Sequence, residues 1–401
     1  MRVSALIGVG TLLLVMAAHT TQVKDRSAGS DEGPARVVRR VSCSGLSCHG
    51  GDSGENEPKA RSEYTRWELV DPHARAYETL LGKKSKEMMG HLGAGEASAD
   101  PRCLACHSSP QSVARTHEGG TGCEVCHGPA AKWLGPHSGD GWKHLSPKEK
   151  AAEGMTALGD PVALASACAG CHVGTPADEK AGRPARDVTH ELIAAGHPPL
   201  RFDLATYTAN LPPHWEPKRR PAREAELWLA DQVVSGRHAA ELMAAHADEG
   251  PEFADFACYA CHHSIAGRGR PGKLVLASWY LGLMGPLSAE VPNGEAVGDA
   301  LAGLKVARRG EVKAGAGKLA KALRVSEGRL GTVDGAKRDR LRKLLLALPP
   351  EEMARWERAA KAYYGLDALE RAEGRTGPGE LLKRLAFPPG AGGPVTGFGV
   401  W

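Results

Sequence analysis

Aromatic side chains make up only 5% of this 401-residue chain. That is too few to fill the core of an ordinary globular protein of this length, so some other apolar body is expected to do it. No cysteine is left for a disulfide framework, because all ten fall in five short motifs. No Cys-x-x-Cys-Lys occurs among them; histidine follows the second cysteine every time. No segment after the first eighteen residues has the length of a membrane span. No period-two alternation of any length appears, so a β architecture is not expected. Beyond His263 there is neither cysteine nor histidine, so the last third of the chain carries no such ligand. Formal charge is only +4 and says little about partners; nucleic acid is not among those expected.

What is present is one motif, repeated. Cys103-Leu-Ala-Cys106-His107, Cys123-Glu-Val-Cys126-His127, Cys168-Ala-Gly-Cys171-His172 and Cys258-Tyr-Ala-Cys261-His262 each read Cys-x-x-Cys-His. Cys43-Ser-Gly-Leu-Ser-Cys48-His49 has two more residues between its cysteines. Cys-x-x-Cys-His is the attachment pattern of c-type haem. The thiols bond the porphyrin vinyl groups, and the histidine is placed under the ring to bind iron. Zinc knuckles would pair at regular spacing, and a disulfide framework would not require histidine at that position. The expected cofactor is haem c, five per chain, bound through these ten cysteines, with His49, His107, His127, His172 and His262 as proximal ligands. The longer first motif could instead be a free or disulfide-bonded cysteine pair.

Such haems are attached outside the cytoplasm, and the start of the chain fits that. Ala5 to Ala18 is a short apolar run after Met1-Arg2, the shape of a secretory signal. Residues 1–21 are expected to be a signal peptide, with an uncleaved anchor as the alternative, and 22–42 a basic linker. A haem domain is expected over 43–290, mainly α with long loops and closely packed haems. A haem-free helical region is expected over 291–401. In it, Leu319, Leu323, Leu341 and Leu345 fall at helical spacing, Pro349-Pro350-Glu351-Glu352 resembles a helix start, and Pro388 to Trp401 is expected to be poorly ordered. Asp71-Pro72 is expected to cap a helix over 73–81, and a longer helix is expected over 222–246, with His238 and His246 on its apolar stripe.

The sixth ligand of each iron separates a carrier from an enzyme. A second histidine closes the iron; an open position admits a small molecule. The 17 histidines exceed what the motifs use, and methionines are few. His73, His137, His190, His197 and His117 are the expected distal ligands, with His263 behind them. His238 and His246 read as packing residues, and His91, His144 and His214 as surface or propionate contacts. Gly196 and Pro198 are expected to end the helix carrying His190 at His197.

Three passages carry a resemblance: Trp67–Leu80 (WELVDPHARAYETL), Thr121–Pro129 (TGCEVCHGP) and Cys168–Tyr207, which ends in HELIAAGHPPLRFDLATY. Over roughly residues 43–215 the chain resembles the cytochrome c-554 family, multihaem carriers that accept electrons from hydroxylamine oxidoreductase. The resemblance implies a helical fold with stacked and perpendicular haem pairs, and His73 and His137 as distal ligands. That family has four haems and one five-coordinate iron, second in order, which corresponds here to His107; His117 or His91 could close it. The fifth motif and the cysteine-free tail have no counterpart in it.

The expected function is electron transfer between a donor and an acceptor protein. The alternative is a redox enzyme with one open haem acting on hydroxylamine, nitric oxide or nitrite. A third reading has the C-terminal helices dock the protein to a redox partner.

Overall fold

The computed structural model describes residues 43–52, 61–109, 120–215, 220, 222–248, 250, 252–258, 262, 276, 278–353 and 356–375. The expected signal peptide and linker, His117, Cys261, His263 and the Gly/Pro-rich terminus lie outside the described residues.

The chain is mainly α with long loops. Among the described residues strand pairing is limited to isolated bridges: Thr175 with Arg186, Asp178 with Arg183, and Phe256 with Leu276. The first half contains α1 (Glu63–Val70), α2 (Lys83–His91), α3 (Pro101–His107), α4 (Cys123–His127), α5 (Leu134–His137), α6 (Pro147–Ala152) and α7 (Pro161–His172). Three of these end on the histidine of a motif. Their starts are written locally: Asp100-Pro101 opens α3 and Asp160-Pro161 opens α7. In both, the Asp carboxylate accepts a backbone N–H of the first turn and Pro occupies the first position, where a missing N–H costs nothing.

The helix expected over 73–81 is two 3₁₀ turns, Pro72–Arg75 and Glu78–Leu81. Asp71 caps the first, as its Asp-Pro pair implies. The Thr79 hydroxyl donates to the Ala76 carbonyl at 2.6 Å, a local bond that competes with a continuous helical ladder. Tyr77 and Leu80 from this stretch pack with Met89 and Ala97 in a small satellite cluster.

The second half adds α8 (His190–Ala195), α9 (Leu204–Asn210), α10 (Arg223–His246), α11 (Ser278–Leu281), α12 (Met284–Leu287), α13 (Gly294–Lys305), α14 (Val312–Glu327), α15 (Gly335–Leu346), α16 (Pro350–Met353) and α17 (Trp356–Ala372). The expected helix over 222–246 is α10, and the Pro349-Pro350 start is α16. α10 is buried on every face from Leu227 to Ala240. It packs against α7, α9, α14 and α17. One continuous apolar cluster joins Ala165 and Val173, Trp228 and Val233 of α10, Leu319 and Leu323, Leu341, and Leu366 and Leu369.

A helix buried all round must pair its polar residues. Asp231 accepts from Ser235 Oγ at 2.6 Å and lies 3.3 Å from Lys361 Nζ of α17, which is also 3.2 Å from Asp203. Arg237 donates to Glu327 of α14 at 2.5 Å and to Glu241 at 2.8 Å. These ties hold α14 and α17 to the element that supports the fourth motif.

Candidate functional site

The first four motifs fold close together. The Cys43 thiol is hydrogen-bonded to Cys123, and Cys106 to Cys171. First and third motifs are therefore neighbours, as are second and fourth. Cys168 and Cys171 also act electrostatically on Cys126, which puts the third and fourth motifs side by side. Hydrogen bonding from Cys123 lowers the Cys43 thiol below its ordinary value, and that from Cys106 lowers Cys171. Burial pushes Cys126 up to about 11.

Four proximal imidazoles each face a second imidazole. Ring centres are 6.1 Å apart for His49 and His137, 5.9 Å for His172 and His73, 6.5 Å for His107 and His197, and 6.2 Å for His262 and His190. Two imidazoles on opposite sides of one metal, with metal–nitrogen bonds of about 2.0–2.1 Å and ring centres about 1.1 Å beyond each nitrogen, stand roughly 6.3 Å apart. The separations therefore fit an iron between each pair. The ring nitrogens agree. Nδ1 of His49 donates to Glu63 at 2.9 Å, His107 to the Ala76 carbonyl at 3.0 Å and His73 to Asp71 at 2.8 Å. His137 donates to the Leu134 carbonyl and His197 to the Pro198 carbonyl, both at 2.8 Å. An imidazole held through Nδ1 presents Nε2 to a metal. Burial lowers His172 and His127 to about 4, so both stay neutral, the form that binds iron.

The expected distal residues are thus placed as follows. His73 lies with the fourth motif, His137 with the first, His197 with the second and His190 with the fifth. α8 ends at Ala195, where Gly196 adopts φ 120°, so His197 leaves the helix and turns to a different motif from His190. His127 has no imidazole stacked at that spacing among the described residues. Its Nδ1 is buried without a partner, and it interacts electrostatically with His214. From the sequence His214 reads as a surface or propionate contact; the structure places it, beside Pro213 and Trp215, within electrostatic reach of His127. The His214 Nδ1 lies 3.4 Å from buried Asp71. His91 donates to the Ala195 carbonyl at 3.1 Å, and His238, buried on α10, donates to the Gly174 carbonyl at 2.7 Å.

The third motif explains its own flanking residues. Thr121 N–H donates to the His73 carbonyl at 2.8 Å, and Gly120 has φ 76°; a Cβ there would sit 2.3 Å from that carbonyl. Glu124 accepts from Ala130 N–H at 2.6 Å. Gly128 turns with φ 82°, and a Cβ on it would meet the Gly154 carbonyl at 2.5 Å. Close backbone approach thus requires glycine at both ends of this motif.

The fifth motif borders a cavity of about 550 Å³, lined by His190, His262, Cys258, Leu242, Trp279 and Arg201. That volume lies in the range of cofactor sites, roughly 300–1,000 Å³. On its wall His246 is held between Asp187 (2.7 Å from Nε2) and Asp255 (3.0 Å from Nδ1). Across the described residues the candidate donors come as imidazole pairs, and none forms a cluster of three or more metal-binding side chains.

Residues 58–128 match the family described as cytochrome c554 and c-prime. The match holds the second and third motifs and His73, and it is shorter than the stretch the motifs suggested. No curated protein and no solved structure matches the chain. The family match supports a c-type cytochrome that transfers electrons through covalently bound haem c. No helix among the described residues is long and apolar enough to cross a membrane.

Proposed function

We propose that this protein is an exported electron carrier holding five haem c groups, each closed by two histidines. The observation that carries the reading is the set of four imidazole pairs at 5.9–6.5 Å, each joining a motif histidine to one distant in sequence. Haem iron supplies one-electron exchange between its ferrous and ferric states. The chain's own residues do the rest. The ten cysteines fix the porphyrins, and the paired imidazoles set the ligand field. The Nδ1 partners, Glu63, Asp71 and backbone carbonyls, fix each ring's direction and basicity. His214 is assigned as the second ligand opposite His127. The apolar run before residue 19 supports export, and the donor and acceptor are separate redox proteins.

One observation favours a second reading. Among the described residues no imidazole is stacked over His127, so an open iron that binds hydroxylamine or nitric oxide would be the third in order. It would not be the second, where His197 faces His107.

Mass spectrometry of the purified protein counts the haems, and EPR of its ferric form, with and without nitric oxide, tests their closure. Five haems and only low-spin signals, unchanged by nitric oxide, are expected. The ring planes add detail. Near-parallel planes, 18° for His49/His137 and 26° for His190/His262, leave an in-plane asymmetry at iron and give rhombic signals. Near-perpendicular planes, 84° for His73/His172 and 87° for His107/His197, cancel it and give large-g signals. A high-spin signal quenched by nitric oxide would move the enzyme reading to the front.

A further inference from the structure

The cavity at the fifth motif is poor in positive charge. Among the described residues that line it, Arg201 is the one lysine or arginine. His246 is there too, but its ring nitrogens face Asp187 at 2.7 Å and Asp255 at 3.0 Å. Arg201 is fixed from several sides. The carbonyls of both neighbouring residues are pinned by side chains of α11: Tyr280 Oη donates to Leu200 at 2.8 Å, and Trp279 Nε1 donates to Phe202 at 2.7 Å. The guanidinium lies over the Trp356 ring, 4.7 Å from its centre, and Trp356 stacks on Trp279 at 5.9 Å. Glu357, on the same wall, is 3.9 Å from the guanidinium, an ion pair longer than a hydrogen bond.

We propose that Arg201 is the propionate anchor of the fifth haem: its guanidinium binds a haem carboxylate at the cavity wall and raises the potential of that one iron. A haem carries two carboxylates, and a site that encloses it must face them with a cation or leave them to water. A guanidinium matches a carboxylate through two parallel N–H groups, and its flat face can stack on an indole at the same time. Its positive charge opposes the extra charge of ferric iron and so favours the ferrous state. The haem-free helices thereby take part in the site, since Trp356 of α17 holds the side chain in place. The inference rests on the five-haem reading proposed above.

The Arg201 side chain is 38% exposed, so a solvated surface arginine is the competing account. Water screens such a charge, and its loss would leave the potentials alone. Full-length Arg201→Gln, with Arg201→Lys as the variant that keeps the charge, separates the two. Potentiometric titration followed optically gives the readout, with haem count by mass and spin state by EPR. Expected are five attached haems, all low-spin, with one midpoint potential lowered in Arg201→Gln, four unmoved, and the shift partly recovered in Arg201→Lys. No shift, an equal shift in all five, or a shift that lysine does not recover would overturn the anchor. His190→Ala identifies the haem. It should turn one haem high-spin and remove from the low-spin set the same potential that Arg201→Gln lowers; removal of a different one would place Arg201 at another haem and sink the proposal. If His190→Ala stays fully low-spin, or the native protein carries four haems, the reading of the fifth site fails. If it turns high-spin while Arg201→Gln leaves the potentials alone, only the anchor fails.

Discussion

An imidazole can serve a metal or a structure, and the partner of its second nitrogen tells which. His137 and His197 each hold a nearby carbonyl through Nδ1 and present Nε2 to a facing ring. His246 is the opposite case, with both nitrogens committed to carboxylates. Burial opposes its charge, but Asp187 and Asp255 outweigh it and raise His246 from 6.5 to about 10. A raised pKa means that the contribution to stability is complete below the unfolded value and is lost as pH rises through the folded one. His246→Gln should therefore destabilise by about 2 kcal/mol near pH 6 and by little near pH 11, after discounting for burial of the paired charges. Thermal unfolding of both proteins across that range checks it; a constant difference would mean that the imidazolium is not what Asp187 and Asp255 hold.

Elements differ in how far their sequence announces them. The Asp71-Pro72 pair marked the cap of the turn at 72–75 and the apolar stripe marked α10, because those signals are local; α3 and α7 open on Asp-Pro pairs of the same kind. The 73–81 segment misled for the same reason: Thr79 bonds its own backbone, which composition does not reveal. The motif cysteines and histidines stand out in the sequence because the chemistry expected of them needs fixed spacing. The place of His214 beside Asp71 does not, since it depends on a residue far away in the chain and on a loop with no period. Nor could a pattern show that α17 lies tight on α10. A Cβ on Gly365 would sit 2.5 Å from Trp228 Cζ2 and 2.9 Å from Leu345 Cδ1. Gly365→Ala should cost about 1–3 kcal/mol by overpacking. A lower unfolding temperature with an unchanged haem spectrum is the expected outcome; no loss of stability would mean that the two helices part easily.

At the scale of the whole molecule, the principal apolar core takes in residues of the fourth motif's helix, Ala165 and Ala169, with Cys168 packed against it. It is built on α10 and includes faces of α13, α14, α15 and α17. Among the described residues, the clusters near the second and third motifs are small: Tyr77, Leu80, Met89 and Ala97, and Ala130, Trp133 and Trp142. Deleting residues 291–401 would strip α10 of Leu319, Leu323 and Leu366 and leave Arg237 and Asp231 without Glu327 and Lys361. The truncated chain should be largely insoluble or lose the fourth haem, measured as soluble haem per chain. A soluble product with full haem content would assign the tail a role other than scaffold.

The imidazole pairs carry one more consequence, for the chain when it is not folded. They join positions 49 to 137, 73 to 172, 107 to 197 and 190 to 262. On the ligation proposed above, a haem fixed covalently to one end and ligated by the other would close a loop of roughly 70–100 residues, and for as long as the ligand stays bound each closure would remove on the order of 4 kcal/mol of freedom from the denatured ensemble. Each loop overlaps the next, so an unfolded chain that kept these ligands would be a laced mesh and not an open coil. A region of short helices and thin apolar clusters can then stay folded less because its native state is rich in contacts than because its unfolded state is poor in conformations.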